Sequence, residues 1–472
     1  TRRARPDEEH LELGADLTQT GIFWRTSLPG GFTTTVAGRY GFPGLILSAL
    51  KFPLGLNYWD YQARLDGPAP GGAFKLFAFG AQDDLTTEGT PYYATKFHRL
   101  LLNYTHSLGP LSGDYTVYVG TETTSAAKVL DNLRSRMLAP RLLWSLQLLD
   151  SLKLNFGAEG RARTYAADYV VSGVGSGNVI ANAHINMGAA WVELPLWFGD
   201  VVSLTLAARG EVYTNKSSNR STIDPRFGLR LRLAHSDLGD TWLKLGAGRF
   251  HQPPRPIIPI PGLEEFALSQ GLESAYQTMV GAEVPLTRGL DLDVQGYFNY
   301  RDPIILDLAM NVDPTTIIGA NARNSTPGIL NNLLQPRVGR SYGLEIILRR
   351  RDVGDLFGWL SYTLSRSERH QATGWTPFDF DRTHMLQAVA GLTLPRNWQV
   401  GGRLSYQTGR PISTRDAYNG ARSPGFTRLD LRIDKRAVWN DWLLDFYIDI
   451  VNTTLSEEFV DQTSVSPRYI LP

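Results

Sequence analysis

Residues 428–434 have the sequence Arg428-Leu429-Asp430-Leu431-Arg432-Ile433-Asp434, in which charged and apolar residues alternate without a break. Successive side chains of a β-strand point to opposite faces, so this segment would have one charged and one apolar face. The turn Trp439-Asn440-Asp441-Trp442 comes after it. A second alternating segment comes next, in which the apolar positions are Leu444, Phe446, Ile448 and Ile450. Two such segments joined by a two-residue turn predict an antiparallel hairpin.

The same alternation recurs along nearly the whole chain, for example at Leu290, Leu292 and Val294, and it indicates an all-β protein. A soluble β-sandwich also alternates but rarely sustains such strands through 472 residues. We therefore predict a transmembrane antiparallel β-barrel of about 22 strands, with lipid outside and a hydrated lumen inside. The last of these strands is predicted at Arg468-Tyr469-Ile470-Leu471.

The connections between predicted strands alternate between short and long. Tight turns fall at residues 27–31, 286–289, 394–397 and 439–442. Long connections are predicted at residues 41–56, 82–96, 123–136, 165–182, 215–222, 251–273, 301–340, 366–380, 408–426 and 453–467. Short periplasmic turns and long extracellular loops are typical of barrels in the outer membrane of bacteria, and we expect this localisation.

Composition excludes several other classes of protein. Lys and Arg number 47 against 46 Asp and Glu, so no strong positive field favours nucleic acid as a partner. Uninterrupted apolar stretches are too short for a membrane-spanning helix, and the most hydrophobic segment, 41–56, is broken by Pro43, Lys51 and Pro53. The chain has no cysteine, which excludes disulfides and thiolate metal sites.

Several segments resemble recurrent motifs of TonB-dependent outer-membrane receptors, especially those of δ-proteobacterial type. The run from Leu356 to Ser367 is similar to a strand of these receptors, and the segment from Phe378 to His384 is similar to the next part of their sequence. The later order of Tyr406 to Pro411, Arg428 to Arg432 and Tyr447 to Asn452 also matches the last third of the family. The motifs cover the second half of the chain, and the first half resembles the family by architecture.

The resemblance implies energised uptake of a scarce substrate, with a plug domain in the barrel and a TonB-type energy-coupling protein as partners. Residues 1–9 would end the plug-to-barrel connection and residues 10–472 would form the barrel. We expect the plug domain and signal peptide to lie outside this sequence. The plug is expected either from the same protein or from another chain, and the outer surface is expected to contact outer-membrane lipid or lipopolysaccharide.

Two other functions are compatible with the same residues. A structural barrel within a multiprotein envelope complex would need no transport motifs, and an unplugged porin-like channel would let solutes diffuse. An enzyme is not expected, because the eight histidines are scattered and form neither a zinc motif nor a catalytic set. We predict no metal and no cofactor, and interpret His384 with Asp379 and Asp381 as a structural loop-to-strand transition.

Two groups of residues are candidates for binding. The first is a set of charges predicted to face the lumen, where they would contact a plug, set ion selectivity, or pair with one another to keep the wall hydrated: Arg230, Arg232, Glu345, Arg349, Arg428, Asp430, Arg432 and Asp434. The second is a set of aromatic residues predicted on extracellular loops, where they would contact substrate or anchor the loops: Tyr92, Tyr93, Tyr165, Tyr169, Trp375 and Tyr418.

Overall fold

The computed structural model describes residues 9–126, 130–171, 175–254, 268–305, 337–350, 354–372, 374–414, 417–440 and 442–458. Residues 1–8 and the predicted final strand at Arg468–Leu471 lie outside these ranges.

Strands make up most of the described chain. In chain order they are β1 (His10–Ala15), β2 (Gln19–Leu28), β3 (Phe32–Gly41), β4 (Leu54–Ala69), β5 (Gly72–Thr87), β6 (Thr90–Leu108), β7 (Leu111–Ala126), β8 (Leu130–Leu149), β9 (Leu152–Val171), β10 (Gly175–Phe198), β11 (Val202–Thr214), β12 (Asn219–Ser236), β13 (Gly239–Gln252), β14 (Glu273–Thr287), β15 (Leu290–Ile304), β16 (Arg337–Arg350), β17 (Leu356–Gln371), β18 (Gly374–Pro377), β19 (His384–Leu394), β20 (Trp398–Gln407), β21 (Pro411–Ile412), β22 (Ala421–Arg422), β23 (Phe426–Trp439) and β24 (Trp442–Ile450). A short helix, α1, spans Pro43–Ala49, and Pro395–Asn397 form a 3₁₀ turn. Among the described residues, no helix is long and apolar enough to cross a membrane.

Twenty-two strands form one antiparallel sheet, in which strands that are consecutive along the chain pair side by side. The four-residue β18 forms a hairpin with the end of β17, and β17 pairs with β19 nearer its start. This leaves twenty-one strands that cross the sheet, while β21 and β22 form a separate two-stranded sheet. The predicted all-β, antiparallel barrel of about 22 strands is confirmed.

One end of the sheet, here called the short-turn end, carries the predicted tight turns. Gly30 and Gly31 join β2 to β3 with φ of 80° and 78°, a backbone region that glycine enters without steric cost. Asn440 at the β23–β24 turn has φ of 50°, in the left-handed region that asparagine tolerates. The register places Trp439 opposite Trp442, as the predicted hairpin requires.

The opposite end, here called the long-loop end, differs from the prediction in several places. Residues 82–96 are not a loop, because β5 and β6 stay paired up to the turn at Glu88 and Gly89. Residues 123–136 and 165–182 likewise belong largely to strands β7 to β10. Backbone pairing continues along these hairpins well beyond the length of a membrane-spanning strand, which is about 9–11 residues. The polar residues of these segments, such as those at 82–87, therefore do not mark the end of a strand.

The two faces of the sheet have opposite character. On β24, Phe446 and Ile448 are more than 60% exposed on one face, while Asp445 and Asp449 face the charged side chains of β23. The face that carries Phe446 and Ile448 is called the apolar face, and the face that carries Asp445 and Asp449 is called the polar face. Large exposed apolar residues recur on the apolar face of other strands, including Leu100, Leu102 and Leu206. A sheet that exposes such a continuous apolar surface is suited to lipid rather than water.

An aromatic belt lies on the apolar face near the short-turn end. Tyr104 on β6 stacks on Tyr115 of β7 with ring centroids 6.0 Å apart. Trp144 of β8 packs edge-on against Tyr115 and stacks on Phe156 of β9, at 5.8 and 5.4 Å. Their neighbours Asn103 and Asp114 contact each other on the polar face. Aromatic girdles of this kind mark the membrane–water interface of outer-membrane barrels.

Candidate functional site

Charged side chains on the polar face form ion-pair networks that run across several strands. In one network, Arg230 of β12 donates to Glu283 of β14 at 2.5 Å. Lys244 of β13 contacts the same glutamate at 3.0 Å and Asp293 of β15 at 2.8 Å. Opposite charges on adjacent strands stabilise each other and satisfy groups that water reaches only in part. This network ties together four neighbouring strands of the wall.

The charges predicted to face the lumen lie on the polar face but do not converge on one point. Arg428 donates to Asp430 at 2.7 Å and Arg432 donates to Asp434 at 2.6 Å, so these four residues form two adjacent pairs on β23. The others lie on separate strands: Arg232 is 3.6 Å from Asp240, Glu345 accepts from Gln295 at 2.6 Å, and Arg349 lies opposite Asp291 in the β15–β16 register. Their proposed roles toward a plug or permeating ions stay predictions.

A second network on β9 to β11 was missed in the sequence. Arg209 pairs with both Glu159 and Glu211, and the Glu211 carboxylate also accepts the Tyr213 hydroxyl at 2.7 Å. The indole of Trp191 lies between two guanidinium groups, 5.5 Å from Arg141 and 5.2 Å from Arg209. The alternation of Glu159, Arg161 and Arg163 on β9 was the available signal. It could not identify the partners, because they come from other strands.

The connections at the long-loop end are held together around Asp381. This residue is 2% exposed, and its carboxylate contacts Arg422, lies 3.6 Å from Arg366 and accepts the Ser367 N–H at 2.6 Å. The neighbouring Arg382 donates to Glu458 at 3.3 Å. The contacts join the segments that come after β17, β20 and β24. We call this group the Asp381 cluster.

His384 and the aspartates next to it in sequence have different hydrogen-bond partners. His384 Nδ1 lies 2.8 Å from the Tyr362 hydroxyl, whereas Asp379 accepts from Tyr418 and from Asn419 at 2.7 Å. The side chains therefore have separate structural partners, as the interpretation of a loop-to-strand transition expects. Within the described ranges no group of three or more metal-ligating His, Asp or Glu side chains is present.

The aromatic residues predicted on loops lie in different environments. Tyr92 and Tyr93 are exposed but lie on β6, close to the β5–β6 turn, and not on the predicted loop. Tyr165 is buried within β9, below the guanidinium of Arg163 at 4.6 Å, so its predicted place on a loop is wrong. The side chain of Tyr169 lies outside the described residues.

Trp375 and Tyr418 belong to the long-loop end. The Trp375 ring lies under the guanidinium of Arg340 at 4.2 Å and packs edge-on against His370. The Tyr418 hydroxyl donates to Asp379. Both side chains therefore help to hold connections together, and a contact with substrate stays a prediction for each.

One turn at the long-loop end is fixed by a carboxylate. The Asp16 side chain accepts the Thr18 and Gln19 N–H groups at 2.7 and 2.9 Å, and the Thr18 hydroxyl at 2.7 Å. Burial is the largest single influence and raises the pKa of Asp16, but the hydrogen bonds from Thr18 and Gln19 together outweigh it and hold the pKa below its usual value. This turn is short, which shows that not every connection at this end is a long loop.

Comparison with known proteins places the fold among outer-membrane transporters. No family model matches the chain, and no curated protein matches it in sequence. Among solved structures, it is similar to the FrpB iron transporter from Neisseria meningitidis, with 13% identity, a TM-score of 0.68, and coverage of 92% of this chain and 74% of that one.

Two further solved structures show the same likeness. The ferric preacinetobactin receptor BauA from Acinetobacter baumannii has 12% identity and a TM-score of 0.71, and the alignment covers 98% of this chain and 78% of the BauA chain. The ferric-catecholate import receptor Fiu from E. coli K12 has 10% identity and a TM-score of 0.69, with coverage of 93% and 76%. The chain therefore has the β-barrel fold of the TonB-dependent outer-membrane receptors, the family that its motifs resemble.

Proposed function

We propose that this chain is the membrane-spanning barrel of an outer-membrane receptor that takes up a scarce substrate by TonB-dependent transport. The observation that carries the proposal is the division of the sheet into two faces. Leucine, isoleucine and aromatic side chains are exposed on one face, and ion pairs cover the other. Such a wall separates lipid from a hydrated lumen.

The ends of the barrel give the orientation. The short-turn end and its aromatic belt would face the periplasm, and the long-loop end with the Asp381 cluster would face outward. Recognition would take place at the long-loop end, because connections on a rigid scaffold carry most binding residues. The exposed pair Tyr92 and Tyr93 is the best placed of the predicted aromatic contacts.

The polar face would contact a plug domain. Barrels of about 22 strands enclose a lumen wide enough to need a plug. Arg141 is more than half exposed beside Trp191, so it remains available to an acidic group of a plug although Glu159 lies 3.7 Å away. A TonB-type partner would then act on the plug from the periplasmic side. Metal chelates are the substrate class we favour, because the FrpB, Fiu and BauA structures are named for iron, ferric catecholate and ferric preacinetobactin.

Single-channel conductance in a planar bilayer tests the proposal. The chain alone is expected to give a large, open conductance. A longer polypeptide that also contains any sequence preceding Thr1 in the native protein is expected to give a closed one. Closure would agree with a plugged transporter. A chain that is already blocked, or a conductance that the upstream segment leaves unchanged, would favour a structural barrel or a plug from another protein.

A further inference from the structure

An apolar groove of about 680 Å³ crosses the outer surface of the barrel between β10 and β14. Its floor contains the small residues Ala208 and Ala247, and taller side chains of Val192, Leu206 and Phe227 form its sides. The alternation of small and large residues on neighbouring strands therefore leaves a channel in a surface that is otherwise covered by large side chains. We call it the lipid-side groove.

Arg249 lines this groove from the apolar face, whereas Arg226, which also borders it, belongs to the polar face. Ala247, Arg249 and the opposing Tyr276 and Thr278 share the apolar face, because directly paired residues point to the same side. The guanidinium of Arg249 lies 5.4 Å from the centre of the Tyr276 ring. Its Nε atom is buried and has no hydrogen-bond partner among the residues that the structure describes. A buried, unsatisfied donor is costly in a native protein and points to a missing partner.

The depth of Arg249 fits the membrane boundary. β13 begins at Gly239 at the short-turn end, and Arg249 lies ten residues further along. A barrel strand crosses the hydrocarbon in about 9–11 residues, so Arg249 lies where the outer leaflet meets its headgroups. An arginine on the lipid face is costly at the bilayer midplane but tolerated at this depth.

A second apolar groove lies on the other side of β14 and shares Thr278 with the first. Val280, Phe298, Tyr342 and Leu344 line it on the same apolar face. Arg366 lines it as well, but its guanidinium lies 3.1 Å from Glu368 and 3.6 Å from Asp381. Two adjacent channels that meet near Arg249 fit a lipid with several acyl chains and a phosphate better than a single detergent-like chain.

The geometry points to a binding site for a phosphorylated, multiply acylated lipid of the outer leaflet, with its phosphate on Arg249 and acyl chains in the two grooves. Arginine suits this role because its planar, delocalised guanidinium binds phosphate through two parallel hydrogen bonds and is weakly hydrated. We commit to lipid A as the source, because Arg249 lies toward the long-loop end. The inference rests on the outer-membrane orientation proposed above and not on transport.

Native mass spectrometry of the barrel in neutral micelles, titrated with lipid A, tests the site. Arg249→Gln is expected to weaken lipid A binding at least tenfold, equivalent to about 1.4 kcal/mol. The matched control is Lys96→Gln, because Lys96 is an exposed cation on the apolar face that lies over Trp59, away from both grooves. This control is expected to stay within about twofold of the unchanged protein, a difference of less than half a kcal/mol.

A second variant tests the contribution of the groove to lipid A binding separately from that of the arginine charge. Ala247→Trp would fill the lipid-side groove while keeping Arg249, and it is expected to weaken lipid A binding, with an unchanged β-sheet circular dichroism spectrum. Full affinity in Arg249→Gln, or equal losses in Arg249→Gln and Lys96→Gln, would overturn the site. Equal affinity for phosphatidylglycerol would overturn lipid A as its occupant. Conductance of Arg249→Gln is expected to be unchanged, so a failure here is distinct from a failure of the transport proposal.

Discussion

The carboxylate of Asp381 is buried at the long-loop end, where Arg422 and Arg366 balance its charge. Removing one partner of a buried ion pair leaves an uncompensated charge, which costs up to about 3–5 kcal/mol. We expect Arg422→Ala to destabilise the Asp381 cluster by less than this upper value, because Arg366 still compensates part of the Asp381 charge. Hydrogen exchange at the Ser367 N–H, which donates to Asp381, measures the change as lost protection.

The matched control is Arg436→Ala on β23. Arg436 and Asp445 are 3.4 Å apart and both are exposed, and a solvent-exposed pair of this kind is worth about 0–1 kcal/mol. Protection of the Ser367 amide should be the same in this variant as in the unchanged protein. Equal protection in Arg422→Ala would show that the cluster does not depend on this ion pair.

Asp16 offers a test of pH dependence at a single residue. Its lowered pKa means that the ionised form stabilises the turn above the ordinary aspartate pKa, and that this contribution is lost as the pH falls through the lowered value. The amide chemical shifts of Thr18 and Gln19 should therefore titrate together below the usual aspartate range. Thr18→Val removes the hydroxyl donor and should move that titration toward the ordinary value. A titration unaffected by Thr18→Val would contradict the proposed role of the hydroxyl.

At the scale of the element, the turn between β19 and β20 stores avoidable strain. Arg396 has φ of 63° in the left-handed region, which is unfavourable for a side chain with a Cβ atom. The Arg396 carbonyl oxygen accepts a hydrogen bond from the Lys435 ammonium group, and this contact does not use the Arg396 side chain. We expect Arg396→Gly to stabilise the barrel by roughly 0.5–1 kcal/mol, because glycine enters this region freely. The urea midpoint of unfolding in micelles measures the gain.

The same substitution in a strand should have the opposite sign. Arg403 lies on β20 and is 3.4 Å from Asp430. Arg403→Gly is expected to destabilise the protein by roughly 0.5–1 kcal/mol, since glycine loses more backbone freedom than other residues when a strand forms. A decrease in the urea midpoint for both variants would show that the turn at Arg396 is not strained.

The strands show how far sequence alone predicts this structure. The alternation on β23 and β24 predicted their faces correctly, because a period of two fixes which side chains share a side. The same pattern could not show where β5, β6, β9 and β10 end, because backbone pairing continues beyond the membrane wherever two strands can still exchange hydrogen bonds. Tyr165 was therefore predicted on a loop although it is buried in β9.

The candidate site was less predictable than the fold. Arg428, Asp430, Arg432 and Asp434 alternate on one strand, so a local pattern predicted that they share a face, and the structure pairs Arg428 with Asp430 and Arg432 with Asp434. Lys244 and its partners on β14 and β15 are separated by dozens of residues in the chain, and only the register brings them together. The lipid-side groove has no local sequence pattern, because its walls come from β10, β11 and β12.

At the scale of the whole molecule, the direction of the strands makes a prediction about closure. β1 and β24 both run from the short-turn end to the long-loop end, and no pairing joins them within the described part of the chain. Direct contact between them would be parallel, whereas every described pair in the barrel sheet is antiparallel. A closed antiparallel barrel therefore needs one more strand that runs back to the short-turn end. We expect the sequence-predicted strand at Arg468–Leu471 to be that strand.

Cysteine cross-linking tests this closure, and the chain suits it because it has no native cysteine. Leu13→Cys on the apolar face of β1 would be combined in turn with Tyr469→Cys, Ile470→Cys and Leu471→Cys, and oxidised in micelles. One combination is expected to form an intramolecular disulfide, since paired residues on adjacent strands have Cβ atoms about 4.5–5.5 Å apart. The comparison variant, Leu13→Cys with Ile448→Cys on β24, should stay reduced because a strand would lie between the two positions. A disulfide only in the comparison variant would mean that β1 and β24 meet directly, and that the barrel closes through a parallel pair with twenty-one crossing strands.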